Sequence, residues 1–518
     1  MSRSAMIAAL SALLLATPVA AEQVMRVEQG PLSGVKDNDV RIYYGVPFAA
    51  PPTGADRWAP PRPPHPWDET VRRADVMPPS CPQELSAEGF MMWTSEYMTP
   101  VEPGVSEDCL FANIWTAAET PGAALPVLVY IHGGGYTSGS GTVPVYDGAN
   151  LARQGLVVVT INYRLGVLGF LAHPELTAEQ RGASGNYALQ DQIEALRWIR
   201  QNISAFGGDP AKVTIAGQSA GGGSVLGLLA SPEAKGLFRA AIVQSAPGMG
   251  SYPPLSAAEQ SGSALVKSWN VQSIADARAL PVEKLTVSPG PGGGGLPIAD
   301  GKVIPTASQS LGMANDVPVM TGYTLNDLFA PTRRVTATEW NTEARERYGS
   351  QAEKFLRFYP GDSDAQASDS ATREITARAE MAPILEWMEH RGAQSPVYAY
   401  LFSHVEPGPN AAQYGAFHSS ELPYMFDTLH LSPGRDFTEV DRNVVRQFSG
   451  AVVNFVTTGN PGGGTVPTWP ALDAEGKAVM EFNATAKLSR IYPEGADGVI
   501  AAGSPPALPN PFAAPATP

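Results

Sequence analysis

The chain is 518 residues long, 43% hydrophobic and only 16% charged, with 52 glycines and 48 prolines. That apolar content excludes an intrinsically disordered chain, and the lack of a Gly-X-Y period excludes collagen. Thirty-five basic residues against 50 acidic ones give a formal net charge of −15 with no Lys/Arg run, which argues against nucleic acid or an anionic membrane surface as a partner.

At the N-terminus, Arg3 precedes an apolar run from Ala5 to Leu15, followed by Thr17, Pro18, Val19, Ala20 and Ala21. Small residues at Val19 and Ala21 fit a small-x-small cleavage pattern, so residues 1–21 read as a cleavable signal peptide, too short to span a bilayer. Export to a periplasm or to the medium, without a membrane span, is the expectation. Two cysteines, Cys81 and Cys109, then have one intramolecular pairing open to them in an oxidising compartment, against two free buried thiols. The chain-entropy argument credits such a bridge with about 3–4 kcal/mol.

Further along, Leu125–Ile131 reads as a buried strand ending at glycines, and Leu156–Ile161 as a second. The stretch from Gly155 to Ala172 is apolar but carries Asn162 and Arg164. Leu189–Phe206 has helical spacing, with Ile193, Leu196, Ile199 and Ile203 on one face and Gly207-Gly208 as the stop. Lys212–Ala216 is a third strand, the small residues after Ser219 can begin a helix, and Ala240–Gln244 is a fourth strand. Strands separated by helical patterns predict a mostly parallel sheet with helices on both faces. Pro289 to Gly295 reads as a surface loop, and the Ala/Pro-rich tail 501–518 as disordered. Residues 22–500 are left as one α/β domain with long insertions.

The third strand runs into Gly217-Gln218-Ser219-Ala220-Gly221. A Gly-x-Ser-x-Gly turn between strand and helix holds a serine hydroxyl clear of the sheet on a strained backbone, so Ser219 is the candidate nucleophile. At the end of the first strand, His132-Gly133-Gly134-Gly135 can aim backbone N–H groups at a developing oxyanion. Serine needs a base held by a carboxylate, and in doubly wound hydrolases the acid and base follow the serine. Of the seven histidines, His390, His404, His418 and His430 meet that order, and spacing does not choose among them.

Ser106-Glu107-Asp108-Cys109-Leu110-Phe111-Ala112-Asn113-Ile114-Trp115 and the Gly217–Gly221 turn resemble the two signatures of the type-B carboxylesterases, the group that includes the cholinesterases. The similarity runs nearly end to end, through Tyr44 to Phe48, Asn162 to Gly166, Gly185-Asn186, Phe206 to Pro210, His418 to Tyr424, Thr458 to Pro461 and Trp469-Pro470. It implies the α/β-hydrolase fold, a central, mostly parallel twisted sheet with helices on both faces. It also implies His418 as base, Asp327 as acid, the N–H groups of Gly134, Gly135 and Ala220 as oxyanion donors, and the Cys81–Cys109 pairing.

The implied activity is serine carboxylesterase, by acyl transfer that requires neither metal nor cofactor; no His-Glu-x-x-His spacing is present. Three departures matter. Asp327, followed by Leu328, replaces the usual Glu-Gly, so either the loop lies closer to His418 or the acid lies elsewhere and Asp327 is a surface loop carboxylate. Met98 stands where cholinesterases have a Trp for quaternary ammonium, and Gln218 replaces their Glu beside the nucleophile. Both changes remove cation attraction, so the expected substrates are small neutral alkyl or aryl esters, not choline esters. Arg333 and Arg334 raise an alternative, recognition of anionic polycarboxylate esters. A non-catalytic binding protein on the same scaffold is the alternative from another class, and the presence of Ser219 and His418 weighs against it. The loops Met91–Pro100 and Ser288–Leu296 are expected to shape the entrance.

Overall fold

Runs of β-branched residues between glycine turns build the sheet. The computed structural model describes residues 24–500, apart from 87, 247–251, 286–294, 307–312, 328–332, 393, 409–410 and 433. The 1–21 leader, the 501–518 tail, Leu328 and most of the Pro289–Gly295 loop therefore lie outside the described residues.

Thirteen strands join one sheet among those residues. In chain order they are β1 (Met25–Val27), β2 (Gly30–Asp37), β3 (Val40–Pro47), β4 (Arg72–Ala74), β5 (Phe111–Thr116), β6 (Leu125–Ile131), β7 (Val157–Ile161), β8 (Gly208–Gln218), β9 (Ala240–Gln244), β10 (Val319–Thr324), β11 (Val397–Phe402), β12 (Lys477–Phe482) and β13 (Ala486–Arg490). Their spatial order is β1-β2-β3-β5-β7-β6-β8-β9-β10-β11-β12-β13, with β4 paired to β2. The stretch from β7 to β12 is parallel throughout, and the flanks are antiparallel apart from the parallel β2–β4 pair. The mostly parallel sheet expected from the sequence is present.

The central strands are apolar on both faces because each face is covered. Alternate side chains divide between two cores. Val127, Val129, Ile131, Ile215 and Val243 face one layer with Leu189, Ile193, Leu196 and Ile199. Leu128, Tyr130, Ala216, Ile242 and Met320 face the other, with Phe448, Val452 and Phe455 of the helix Glu439–Thr458.

β6 and β9 have the expected bounds, whereas β8 is longer at both ends than Lys212–Ala216. Its start is drawn in by pairing of Gly208 with Leu125, its end by pairing of Gln218 with Gln244. The helix expected over 189–206 runs Tyr187–Asn202 and then tightens into a 3-10 turn, Ile203–Phe206, closed by Gly207 at φ +84°. Asn162 and Arg164, the polar residues of the apolar stretch after Gly155, are both used inside the protein. Asn162 Oδ1 accepts from the Gly141 N–H at 2.8 Å, and Arg164 forks onto buried Asp191 at 2.7 and 2.8 Å.

Two insertions leave the sheet. After β9 come the helices Leu255–Ser268 and Ile274–Arg278, and after β10 the helices Ala337–Tyr348, Ala352–Phe358, Asp364–Thr376 and Ala382–His390. Each carries its own apolar cluster, around Trp58, Val266 and Ile274 in the first and Trp340 and Phe355 in the second. Cys81 and Cys109 are joined in a disulfide.

What positions the site is the level register at one edge. Ile131 pairs with Gly217 and Gly217 with Val243; Gln244 pairs with both Gln218 and Gly322. The residues that follow β6, β8, β9 and β10 therefore emerge side by side. β6 lies where the chain leaves for β7 on one side and returns to β8 on the other, the reversal at which open α/β sheets leave a crevice.

Candidate active site

Ser219 sits between β8 and the helix Ala220–Ala230 at φ 58° and ψ −124°, a positive φ that costs a non-glycine residue energy. The neighbouring packing explains its glycines. A Cβ on Gly221 would lie 2.1 Å from the Ile131 carbonyl oxygen, and one on Gly217 would lie 2.4 Å from the Gly221 carbonyl oxygen. The strained residue is held by its N–H, which donates to the Gln244 carbonyl at 2.9 Å. The side chain is half-buried at the edge of the sheet.

After β6 the backbone turns through Gly134 at φ +108° and Gly135 at φ +62°, both exposed. A Cβ on Gly133 would lie 3.2 Å from Ser219 Cβ, so this loop is packed directly against the serine turn. His132 supports the loop from behind. Its ring stacks on Tyr163 at 4.3 Å and its Nδ1 lies 2.8 Å from the Gly133 carbonyl. Burial lowers its pKa to about 4, so it stays neutral.

Asp327 and His418 come from loops far apart in sequence, and the backbone joins them. Asn326 and Phe417 form a parallel bridge. The Asn326 N–H donates to the Ala416 carbonyl at 2.9 Å, and Asn326 Oδ1 accepts from the Ala416 N–H at 2.9 Å. The next residue on each side is Asp327 or His418, and Asp327 Oδ1 lies 2.5 Å from His418 Nδ1, with both side chains buried. The shorter acid thus reaches the imidazole, with the Asn326–Phe417 bridge holding the two loops side by side.

Asp327 Oδ2 accepts from the Ser245 hydroxyl at 2.5 Å, the Thr324 N–H at 2.8 Å and the Thr324 hydroxyl at 3.1 Å. Burial opposes the carboxylate's charge, but the His418 imidazole and these hydrogen bonds outweigh it and hold the carboxyl below its ordinary 3.8. On the opposite side of the ring, His418 Nε2 lies 3.1 Å from Gln218 Nε2.

The other downstream histidines are elsewhere. His390 is exposed and contacts the Glu386 carbonyl, and His430 is exposed in a short 3-10 turn. His404 forms a second His–Asp pair, with Asp441 at 2.8 Å, which ties β11's exit to the helix Glu439–Thr458. Of the four, His418 is the one set against the serine strand.

Several residues around the site escaped the sequence reading. Ser245 follows β9, and nothing local distinguishes it from other serines. Trp93, in the disulfide-closed loop, donates its indole N–H to the His418 carbonyl at 3.1 Å and turns its edge to the imidazole at 6.4 Å. That loop is held in turn by Arg435, which reaches Glu96 at 3.3 Å and Glu406 at 3.0 Å. Glu421, three positions after His418 in a stretch already singled out, was open to discovery by spacing. It is buried, its Oε1 accepts from Gln244 Nε2 at 3.2 Å, and burial together with the Asp327 charge raises its pKa to about 8. Glu380, in a π-helical turn, is raised to about 8 by the same two causes.

Met98 is half-buried after the 3-10 turn Ser95–Tyr97. Arg333 is engaged with Glu343 at 2.5 Å and lies over Trp340, and Arg334 is exposed with one guanidinium N–H on the Ala412 carbonyl. No three His, Cys, Asp or Glu side chains gather as metal ligands among the described residues. Nor is any helix among them long and apolar enough to cross a membrane.

A parallel sheet wound on both sides, with a strained serine turn at the reversal of strand order, defines the α/β-hydrolase fold. The chain belongs to the carboxylesterase family, whose profile matches residues 21–497, and it is a carboxylic ester hydrolase. It is 35% identical over 497 residues to fumonisin B1 esterase of Sphingopyxis macrogoltabida, covering 90% of this chain and 88% of that protein. It is 32% identical over 484 residues to para-nitrobenzyl esterase of Bacillus subtilis, covering 88% and 94%. The crystal structure of a Geobacillus stearothermophilus carboxylesterase superposes with a TM-score of 0.73 at 30% identity, covering 93% of this chain and all of that one.

Proposed function

We propose that Ser219 is the nucleophile, His418 the general base and Asp327 the acid that orients it. The observation that carries the reading is the 2.5 Å Asp327–His418 contact, set against the strand that ends in the Ser219 turn. With Asp327 accepting from Nδ1–H, the imidazole is held in the tautomer whose Nε2 can take the serine proton.

In the first step Ser219 attacks the ester carbonyl as His418 removes its proton. We assign the negative charge on the carbonyl oxygen to the backbone N–H groups of Gly134, Gly135 and Ala220, donors that, being fixed in the backbone, need no reorganisation as charge develops. The imidazolium then protonates the departing alcohol and an acyl-serine remains. Water enters, His418 deprotonates it, and a second tetrahedral intermediate collapses to the carboxylic acid and free enzyme.

The expected substrates are neutral alkyl or aryl esters. The para-nitrobenzyl esterase of Bacillus subtilis supports this reading, as does the uncharged pair Met98 and Gln218. Arg333 is engaged with Glu343, whereas Arg334 is exposed with one guanidinium N–H on the Ala412 carbonyl, so the anionic-ester alternative rests on Arg334. We read residues 1–21 as an export signal and 22–500 as one catalytic unit.

Covalent labelling by a fluorophosphonate, together with hydrolysis of p-nitrophenyl acetate, tests the assignment. The wild type is expected to label and turn over, and Ser219→Ala to do neither. Undiminished labelling in Ser219→Ala would place the nucleophile elsewhere, and a wild type that neither labels nor hydrolyses would favour the binding-protein reading.

A further inference from the structure

We infer that Gln218 is a positioning residue for the reacting nitrogen of His418, holding the imidazole as a neutral base while leaving it free to become an acid. The inference rests on the reading of Ser219 and His418 above. Gln218 is the last residue of β8 and is 2% exposed. A Cβ on Gly133 would lie 3.3 Å from its Oε1, so the side chain lies between the glycine loop and the imidazole. Its Nε2 is 3.1 Å from His418 Nε2.

With Nδ1–H given to Asp327, the Nε2 of a neutral imidazole offers only a lone pair, and a carboxamide nitrogen offers only N–H donors. The contact therefore matches the neutral ring and opposes the imidazolium, whose Nε2–H would face another N–H. Catalysis needs both forms in turn, the neutral ring to take the Ser219 proton and the imidazolium to return it to the alcohol. A carboxamide carries donor and acceptor on one rotor. Turning about its last side-chain bond exchanges Nε2–H for Oε1 and follows the proton without moving the backbone.

A carboxylate at the same place could only accept, and wherever it is ionised its charge would favour the imidazolium. The other groups facing the ring do not duplicate this role. Asp327 engages Nδ1, Trp93 presents an uncharged edge, and Glu421 and Glu380 interact with Asp327. At neutral pH both of these acids are largely protonated, so Asp327 is the firm negative charge beside the ring among the described residues.

The test is the pH profile of kcat and KM for p-nitrophenyl acetate in wild type, Gln218→Glu and Gln218→Met, with fluorophosphonate labelling of each. In Gln218→Glu the acid limb of kcat/KM is expected to move up by about one pH unit, the low end for an opposite charge in contact. Measured on that limb and relative to each enzyme's own plateau, this is roughly a tenfold loss. Gln218→Met, uncharged and lacking the amide, is expected to keep the acid limb near that of wild type while kcat falls severalfold at unchanged KM.

An acid limb unmoved in a folded, labelling Gln218→Glu enzyme would overturn the inference, as would wild-type kcat in Gln218→Met. If the Glu variant does not fold, as judged by circular dichroism, the Met variant decides alone. Labelling and turnover that persist in Ser219→Ala would instead remove the reading on which the inference stands.

Discussion

Asp327 shows how one methylene is accommodated. Resemblance to the family leads one to expect a glutamate, and a shorter acid on the same loop would stop short of the imidazole. The Asn326–Phe417 bridge holds the two loops together at the backbone, and Ser245 and Thr324 fix the second carboxylate oxygen, so the carboxylate has little freedom to swing away. Asp327→Asn keeps the shape but lets the amide donate to Nδ1, which selects the wrong imidazole tautomer. It is expected to lower kcat by about 10⁴-fold with an unchanged far-ultraviolet circular dichroism spectrum. A kcat within a few-fold of wild type would assign the acid elsewhere. Ser219 was legible because its glycines are local and their spacing has a steric reason. His418 was not legible from spacing alone, because its partnership with Asp327 depends on a bridge between two distant loops. Ser245 and Trp93 carry no local mark at all, since their roles arise from where β9 and the disulfide loop end in space.

At the scale of elements, the serine turn depends on three segments meeting with no room to spare. β6, β8 and the helix Ala220–Ala230 converge on Gly217 and Gly221, and added atoms there would meet backbone carbonyls, not flexible side chains. Gly221→Ala must therefore push the helix from β6, at a cost of about 1–3 kcal/mol typical of overpacking. Because Ser219 sits on that junction, the expected kinetic loss is larger than the loss in stability. A displacement of about 1 Å can cost roughly 10²-fold in rate. Thermal denaturation and kcat/KM measured on one preparation check both parts, and a variant that is destabilised yet fully active would contradict the coupling. β6, β9 and the core-facing side of the Tyr187–Asn202 helix were legible from periodicity. The ends of β8 were not, because they are set by partners on neighbouring strands, and the final 3-10 turn was hidden in a continuous helical pattern.

Across the whole molecule, the excess of glycine and the scarcity of charge now have a structural meaning. The parallel strands are covered on both faces, which leaves little surface for charge, and several glycines stand where backbone meets backbone. The charged groups that are buried are mostly paired, as Arg164 is with Asp191. Glu421 differs, because its raised pKa means the folded protein keeps a proton that the unfolded chain releases. For an acid raised from 4.5 to about 8, stability is greatest below the unfolded value and declines as pH rises through that window. Glu421→Gln copies the protonated acid, so its melting temperature is expected to fall less between mildly acidic and mildly alkaline pH than that of wild type. Equal slopes for the two proteins would show that Glu421 ionises normally. The sheet and the serine turn could be anticipated from the chain, whereas this buried electrostatic layer emerged only with the fold.

The central claim is that ester hydrolysis proceeds through an acyl group on Ser219. Acid-quenching the enzyme during turnover of p-nitrophenyl acetate and mapping the peptides by mass spectrometry tests it directly. One acetyl group is expected on the peptide containing Gly217 to Gly221, located on Ser219 and absent from Ser219→Ala. Turnover with no acetylated serine, or with the acetyl group on another residue, would contradict it.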